Sequence, residues 1–164
     1  MNEDIKNTLS ALFAQDKKKA DMAAQNKFEQ EERGKVNDLE FTRILDEIIT
    51  PTLKEISEFV DAQGWVGDIT SENEEKYRGD LISPEKISIV FFRGTKPKYY
   101  RDHEHPHFTM IHSPGSAGVS FYRSTIMPGH GGMAGSAGGA LLQELTAEMI
   151  HERVADLLVS ILKR

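Results

Sequence analysis

Apolar residues recur at helical spacing through the first third of the chain. They give way to strand-like runs in the middle and return to helical spacing at the end. Residues 2–33 are rich in Lys, Ala, Gln and Glu and contain no Gly or Pro, which predicts a helix that stops at Gly34. Ile5, Leu9, Leu12 and Phe13 make a stripe in its first turns, and Ala20, Ala23 and Phe28 follow later, but Gln15 to Lys19 add nothing apolar. A coiled coil sustains its seam over about three or four heptads. This segment is therefore read as an arm that packs on its own domain, a twin chain or a partner, because alone it is marginal in water.

A second helix is predicted from Asn37, which has capping-box spacing with Glu40. Leu39, Phe41, Ile44, Leu45, Ile48 and Ile49 form a broad apolar face. Pro51 removes a hydrogen bond and crowds the preceding turn, so the helix should kink or restart with Thr50 as cap. Leu53, Ile56, Phe59 and Val60 continue the face, and Gly64 ends it.

Trp65-Val66 predicts a short strand, and the polar residues 68–84 an exposed loop. Residues 86–93 (KISIVFFR) are apolar on nearly both faces and predict a central strand. Residues 107–112 and 117–126 predict two more strands, joined by a Ser113–Ser116 hairpin. Residues 127–139 (MPGHGGMAGSAGG) read as a glycine-rich loop, and residues 140–162 as a final amphipathic helix. The expected fold is α+β: helical arm, kinked helix, a three- to four-stranded antiparallel sheet, and a C-terminal helix packed on it. Residues 1–35 form the arm and 36–164 a single domain.

Composition narrows the function. The chain has 164 residues and a net charge of −6, with 11 basic and 19 acidic residues in 1–80 but 9 and 7 in 81–164. An acidic first half argues against general duplex nucleic-acid binding. There is no cysteine, which excludes disulfides, thiolate metal sites and thiol catalysis. No run reaches the ~18 apolar residues of a membrane helix, and the start lacks signal-peptide order, so a soluble cytoplasmic protein is expected. Between His105 and Gln143 the only Lys, Arg, Asp or Glu is Arg123. Such a stretch is either buried or offers a neutral surface to a partner.

Three constellations are candidates for chemistry. His103, His105 and His107 alternate, and on an extended chain they project to one side, where imidazoles can share a transition metal. Pro106 interrupts that run, and a solvent-facing strand entry is the alternative. Arg93, Lys96, Lys98 and Arg101 cluster beside Tyr99 and Tyr100, a combination that binds anions and stacks bases, or else forms a solvated loop. Gly129-His-Gly-Gly-Met-Ala134 fits a loose GxGxxA pattern between a strand and a helix, where backbone N–H groups can hold a phosphate. The following strand of a dinucleotide fold is missing. Arg123 either holds an anion or pairs with an acidic residue of the helices. No nucleophile elbow occurs, and the carboxylate pairs lie on the first helices and in the polar loop.

Together these features point to a non-enzymatic, self-associating protein–protein interaction protein: an adaptor, chaperone-like or assembly module. Ile5, Leu9, Leu12, Phe13, Met127 and Met133 are its contact candidates, and no cofactor is needed. A metal-binding protein or metal-dependent enzyme built on the three histidines is the first alternative. A nucleic-acid accessory protein using residues 93–101 is the second.

Overall fold

A computed structural model describes residues 1–163. The protein is α+β, with helices on one face of an antiparallel sheet. Helix α1 (Glu3–Ile44) opens at Asn2, whose side chain accepts from the Asp4 N–H at 2.8 Å. It runs through Gly34 without stopping, so the two predicted helices 2–33 and 37 onward are one. The reason is tertiary. The turn at Ser113–Ser116 docks on the helix, and a Cβ at Gly34 would lie 3.3 Å from the Gly115 Cα. Asn37 donates to the Gly115 carbonyl at 3.0 Å, and Asp38 accepts the Gly115 N–H at 2.7 Å. The glycine therefore marks a close approach, and Asn37 anchors that turn instead of capping a helix.

A π-helical turn, Leu45–Ile49, links α1 to α2 (Thr50–Ala62). Thr50 N–H bonds back to the Leu45 carbonyl, and this widened turn accommodates Pro51 without a break. The predicted interruption is thus a bulge in a continuous helical rod, and Thr50 makes no side-chain cap. Gly64, at φ +82°, turns the chain into the sheet.

Seven strands follow: β1 (Trp65–Glu72), β2 (Glu75–Tyr77), β3 (Asp80–Ser83), β4 (Glu85–Arg93), β5 (His107–His112), β6 (Gly118–Ser124) and β7 (Ala134–Leu141). The main sheet has the order β1-β4-β5-β6-β7, all antiparallel, and β2-β3 form a separate hairpin. Two predicted loops are strands. Residues 68–84 carry most of β1 and the hairpin, whose turn residues Arg78 and Gly79 both have positive φ. Residues 134–139 of the glycine-rich segment begin β7, which displaces the start of the last helix, α3, to Ala147 (Ala147–Leu162). Thr146 caps α3 by accepting the Met149 N–H at 3.2 Å.

The core lies between the sheet and the helices. Phe41, Ile44, Ile49, Leu53, Ile56 and Val60 meet Ile87, Ile89, Phe91, Phe108, Met110 and Phe121, and Ile150, Val154, Leu157 and Ile161 complete it. His112 joins from β5, stacked on Phe41 at 4.2 Å and 9°. Residues 1–33 are exposed throughout and touch none of this core. Among the described residues, no helix is long and apolar enough to cross a membrane.

Candidate functional site

The sheet has a second face, turned away from the helices. Strand pairing fixes which residues share it. Thr70 lies opposite Ser88, Ser88 opposite Thr109, Thr109 opposite Tyr122, and Tyr122 opposite Ser136. Directly paired residues point the same way, so one hydroxyl row crosses all five strands on the outer face. The neighbouring row places Val90, His107 and Ser124 side by side.

The middle of this face is a half-open groove of about 510 Å³, walled by Asp102 and His103 from the loop after β4 and by Ile126 after β6. Four polar residues in its lining are more than nine-tenths buried: Ser124 (0 % exposed), His107 (7 %), Thr109 (7 %) and Ser88 (8 %). Ser88 and Thr109 share one hydrogen bond at 2.7 Å, which leaves one of the two hydroxyl protons unspent. Ser124 Oγ accepts the Ile126 N–H at 3.2 Å and keeps its own proton. His107 Nδ1 donates to the His105 carbonyl at 2.9 Å. A carbonyl only accepts, so Nδ1 carries the proton, and Nε2 is the ring nitrogen left to face the groove. Tyr122 stacks beside it, 5.9 Å between centroids and 19° between planes. The charged residues of the lining are Glu72, Lys86 and Asp102.

The three alternating histidines do not converge. Asp102–Glu104 forms a 3₁₀ turn, which removes the extended geometry that would align them. His103 and His107 line the groove, whereas His105 packs on Phe92 (4.7 Å) and Tyr100 (5.9 Å). Among the described residues, no group of three or more His, Asp or Glu side chains is arranged to hold a metal ion. Burial pushes the His105 imidazole below its ordinary range, against the opposing pull of Glu104 and Asp102.

The basic loop is also dispersed. Lys96 pairs with Asp68 at 3.0 Å, Arg93 lies over the Trp65 ring, and Lys98 lies over Tyr99, while Arg101 is exposed. Tyr100 donates to the same Asp68 carboxylate at 2.5 Å, and burial followed by that bond drives its phenol well above the usual range. Residues 94–106 are thus clamped on the outer face of β1 and β4. Arg123 reaches Ser160 Oγ at 3.4 Å instead of a helical carboxylate. Gly129–Ala134 leads into β7, so no helix N-terminus stands behind the glycines.

Of the contact candidates, Ile5, Leu9, Leu12 and Phe13 are exposed, from 39 % at Leu9 to 71 % at Phe13. Met133 is exposed as well, whereas Met127 is partly buried against the core. The sequence reading missed the hydroxyl row entirely. Its members are spread from residue 70 to residue 136, and only the strand register brings them together. The chain matches no known family model, and no match was found among curated proteins or solved structures.

Proposed function

We propose that the protein is a non-enzymatic interaction module that self-associates through its helical arm. One observation carries this reading: a helix of some 30 residues, roughly 45 Å long, adds nothing to the buried core while exposing Ile5, Leu9, Leu12, Phe13, Met22 and Phe28. Helices of globular proteins draw most of their stability from burying an apolar face. An arm with these apolar side chains and no cover for them within its own chain calls for cover from another.

The pattern favours a second copy, antiparallel. Ile5, Leu9, Phe13, Ala20, Ala24 and Phe28 are mirror-related about the Asp16–Lys17 bond. Antiparallel pairing on that centre sets Ile5 against Phe28, Leu9 against Ala24 and Phe13 against Ala20. Large residues then mostly face small ones, as close packing requires. It also sets Asp16 against Lys17 twice. A parallel in-register pair would instead place Lys17, Lys18 and Lys19 against themselves, a repulsion without compensation.

Light scattering of the purified chain tests this. The full chain should give twice the monomer mass, and a chain lacking residues 1–33 the monomer mass. Two exposed Asp–Lys pairs at about 0.2–1 kcal/mol each make Lys17→Glu weaken the dimer roughly tenfold. Asp16→Lys combined with Lys17→Glu should restore it. A full-length monomer would end the proposal, and a double variant no better than the single would end the antiparallel register.

A further inference from the structure

We infer that the groove on the outer sheet face is a binding site for a small neutral polyhydroxyl compound, a mono- or disaccharide. Three features lead there. The first is the burial of polar side chains. Ser88, His107, Thr109 and Ser124 are more than nine-tenths buried at positions where Val or Ile would pack and where a hydroxyl is costly unless it is satisfied. The second is unused hydrogen-bonding capacity directed at one space. His107 Nε2 has no partner among the described residues. The Ser88–Thr109 pair holds one spare proton. The Tyr122 hydroxyl adds a group that both donates and accepts.

The third feature is the absence of charge among those buried residues. A buried cation would favour a phosphate or carboxylate, and a buried carboxylate an ammonium. The groove's charged residues, Glu72, Lys86 and Asp102, are of mixed sign and none is among the buried ones. A sugar fits the combination. Each of its hydroxyls donates and accepts, as the row Thr70, Ser88, Thr109 and Tyr122 does. Its C–H face packs on apolar carbon, which Ile111 and Ile126 supply in the same lining. A volume of about 510 Å³ falls within the usual range of small-molecule sites. This inference is independent of the arm, and either can fail alone.

The test is a titration of the full chain, observed through the ¹⁵N resonances of the histidine rings. The probes are glucose, galactose, mannose, N-acetylglucosamine, maltose and lactose, with glucose 6-phosphate and glucosamine as charged comparators. At least one neutral sugar should shift His107 Nε2 saturably with a Kd of about 1 mM or tighter, and either charged comparator should bind more weakly. Ser88→Ala with Thr109→Val should weaken that sugar at least tenfold while leaving the His112 ring signal in place as a check on the core. Tyr122→Phe, which keeps the ring beside His107, should weaken it severalfold. No response to any neutral sugar up to about 20 mM would overturn the assignment. So would tighter binding of a charged comparator, or a response that survives in both variants.

Discussion

The two faces of the main sheet are built from alternate residues of the same strands and are buried to a similar degree at their centres, yet the outer one is polar at the groove where the inner one is apolar throughout its centre. Towards the helices the strands present Ile87, Ile89, Phe91, Phe108, Met110 and Phe121. Away from them they present Ser88, His107, Thr109 and Ser124 around the groove, with Val90 and Phe92 buried beside it under the loop at 94–106. Burying one large apolar side chain contributes about 1.5–3 kcal/mol, whereas a buried hydroxyl costs free energy unless it finds a partner. The inner face accounts for folding. The hydroxyls of the groove do not help folding in that way, and their place is explained by what they can bind. Burial alone therefore does not identify a core; the chemistry of what is buried does.

The sharpest separation of the two faces is a truncation on the inner one. Phe108 is 1 % exposed and packs against Phe121 at 5.5 Å. Phe108→Ala should cost about 3–5 kcal/mol, a large share of the 5–15 kcal/mol typical of a domain. Urea unfolding should show a much lower midpoint with an unchanged slope. A cost below about 1 kcal/mol would mean that the inner face is not the stabilising one, and the contrast would collapse.

The inner face was legible in the sequence and the outer one was not, for a physical reason. KISIVFFR announces a strand through residue type, and the apolar spacing of residues 147–162 announces a helix; both signals are local. The groove depends on register, because Ser88 and Thr109 are 21 positions apart and meet only through β4–β5 pairing. Local signals also misled where a tertiary contact overrode them. Gly34 looked like a helix stop and is a contact with Gly115. The glycine-rich segment looked like a loop, yet its small residues form most of the edge strand β7. There a Cβ at Gly139 would lie 2.6 Å from the Val119 carbonyl oxygen. The alternating histidines were visible, but the 3₁₀ turn at Asp102–Glu104 that separates them was not.

A second, smaller effect distinguishes the faces by pH. The loop at 94–106 is held on the outer face by His105 against Phe92 and Tyr100. Burial lowers the affinity of folded His105 for a proton relative to its ordinary pKa near 6.5, so the unfolded state binds more protons. This contribution is fully present above about pH 6.5 and is lost as pH falls through the lower, folded value. Amide exchange in residues 94–106 should therefore accelerate between pH 7.5 and about pH 5 beyond its intrinsic pH dependence, while exchange in β4 and β5 follows the intrinsic trend alone. His105→Phe should remove the extra acceleration. If the variant keeps it, another group is responsible.

The smallest expected effect is the most discriminating. Thr109→Val alone strands Ser88 in a buried position and should cost about 1–3 kcal/mol, less whatever groove water recovers. Removing both partners is different. In Ser88→Ala with Thr109→Val the mutual hydrogen bond and both desolvation costs vanish together, and the valine retains the shape of the threonine. Such paired replacements are close to neutral or stabilising, so the double variant should unfold within about 0.5 kcal/mol of the parent, or above it. On the inner face no pair of substitutions has that property, because each loss of apolar volume leaves a cavity. A double variant that is strongly destabilised would show that the two hydroxyls serve the fold, and the outer face would then be a second core with polar seams. A double variant as stable as the parent shows that folding does not require these hydroxyls, as their assignment to ligand recognition expects.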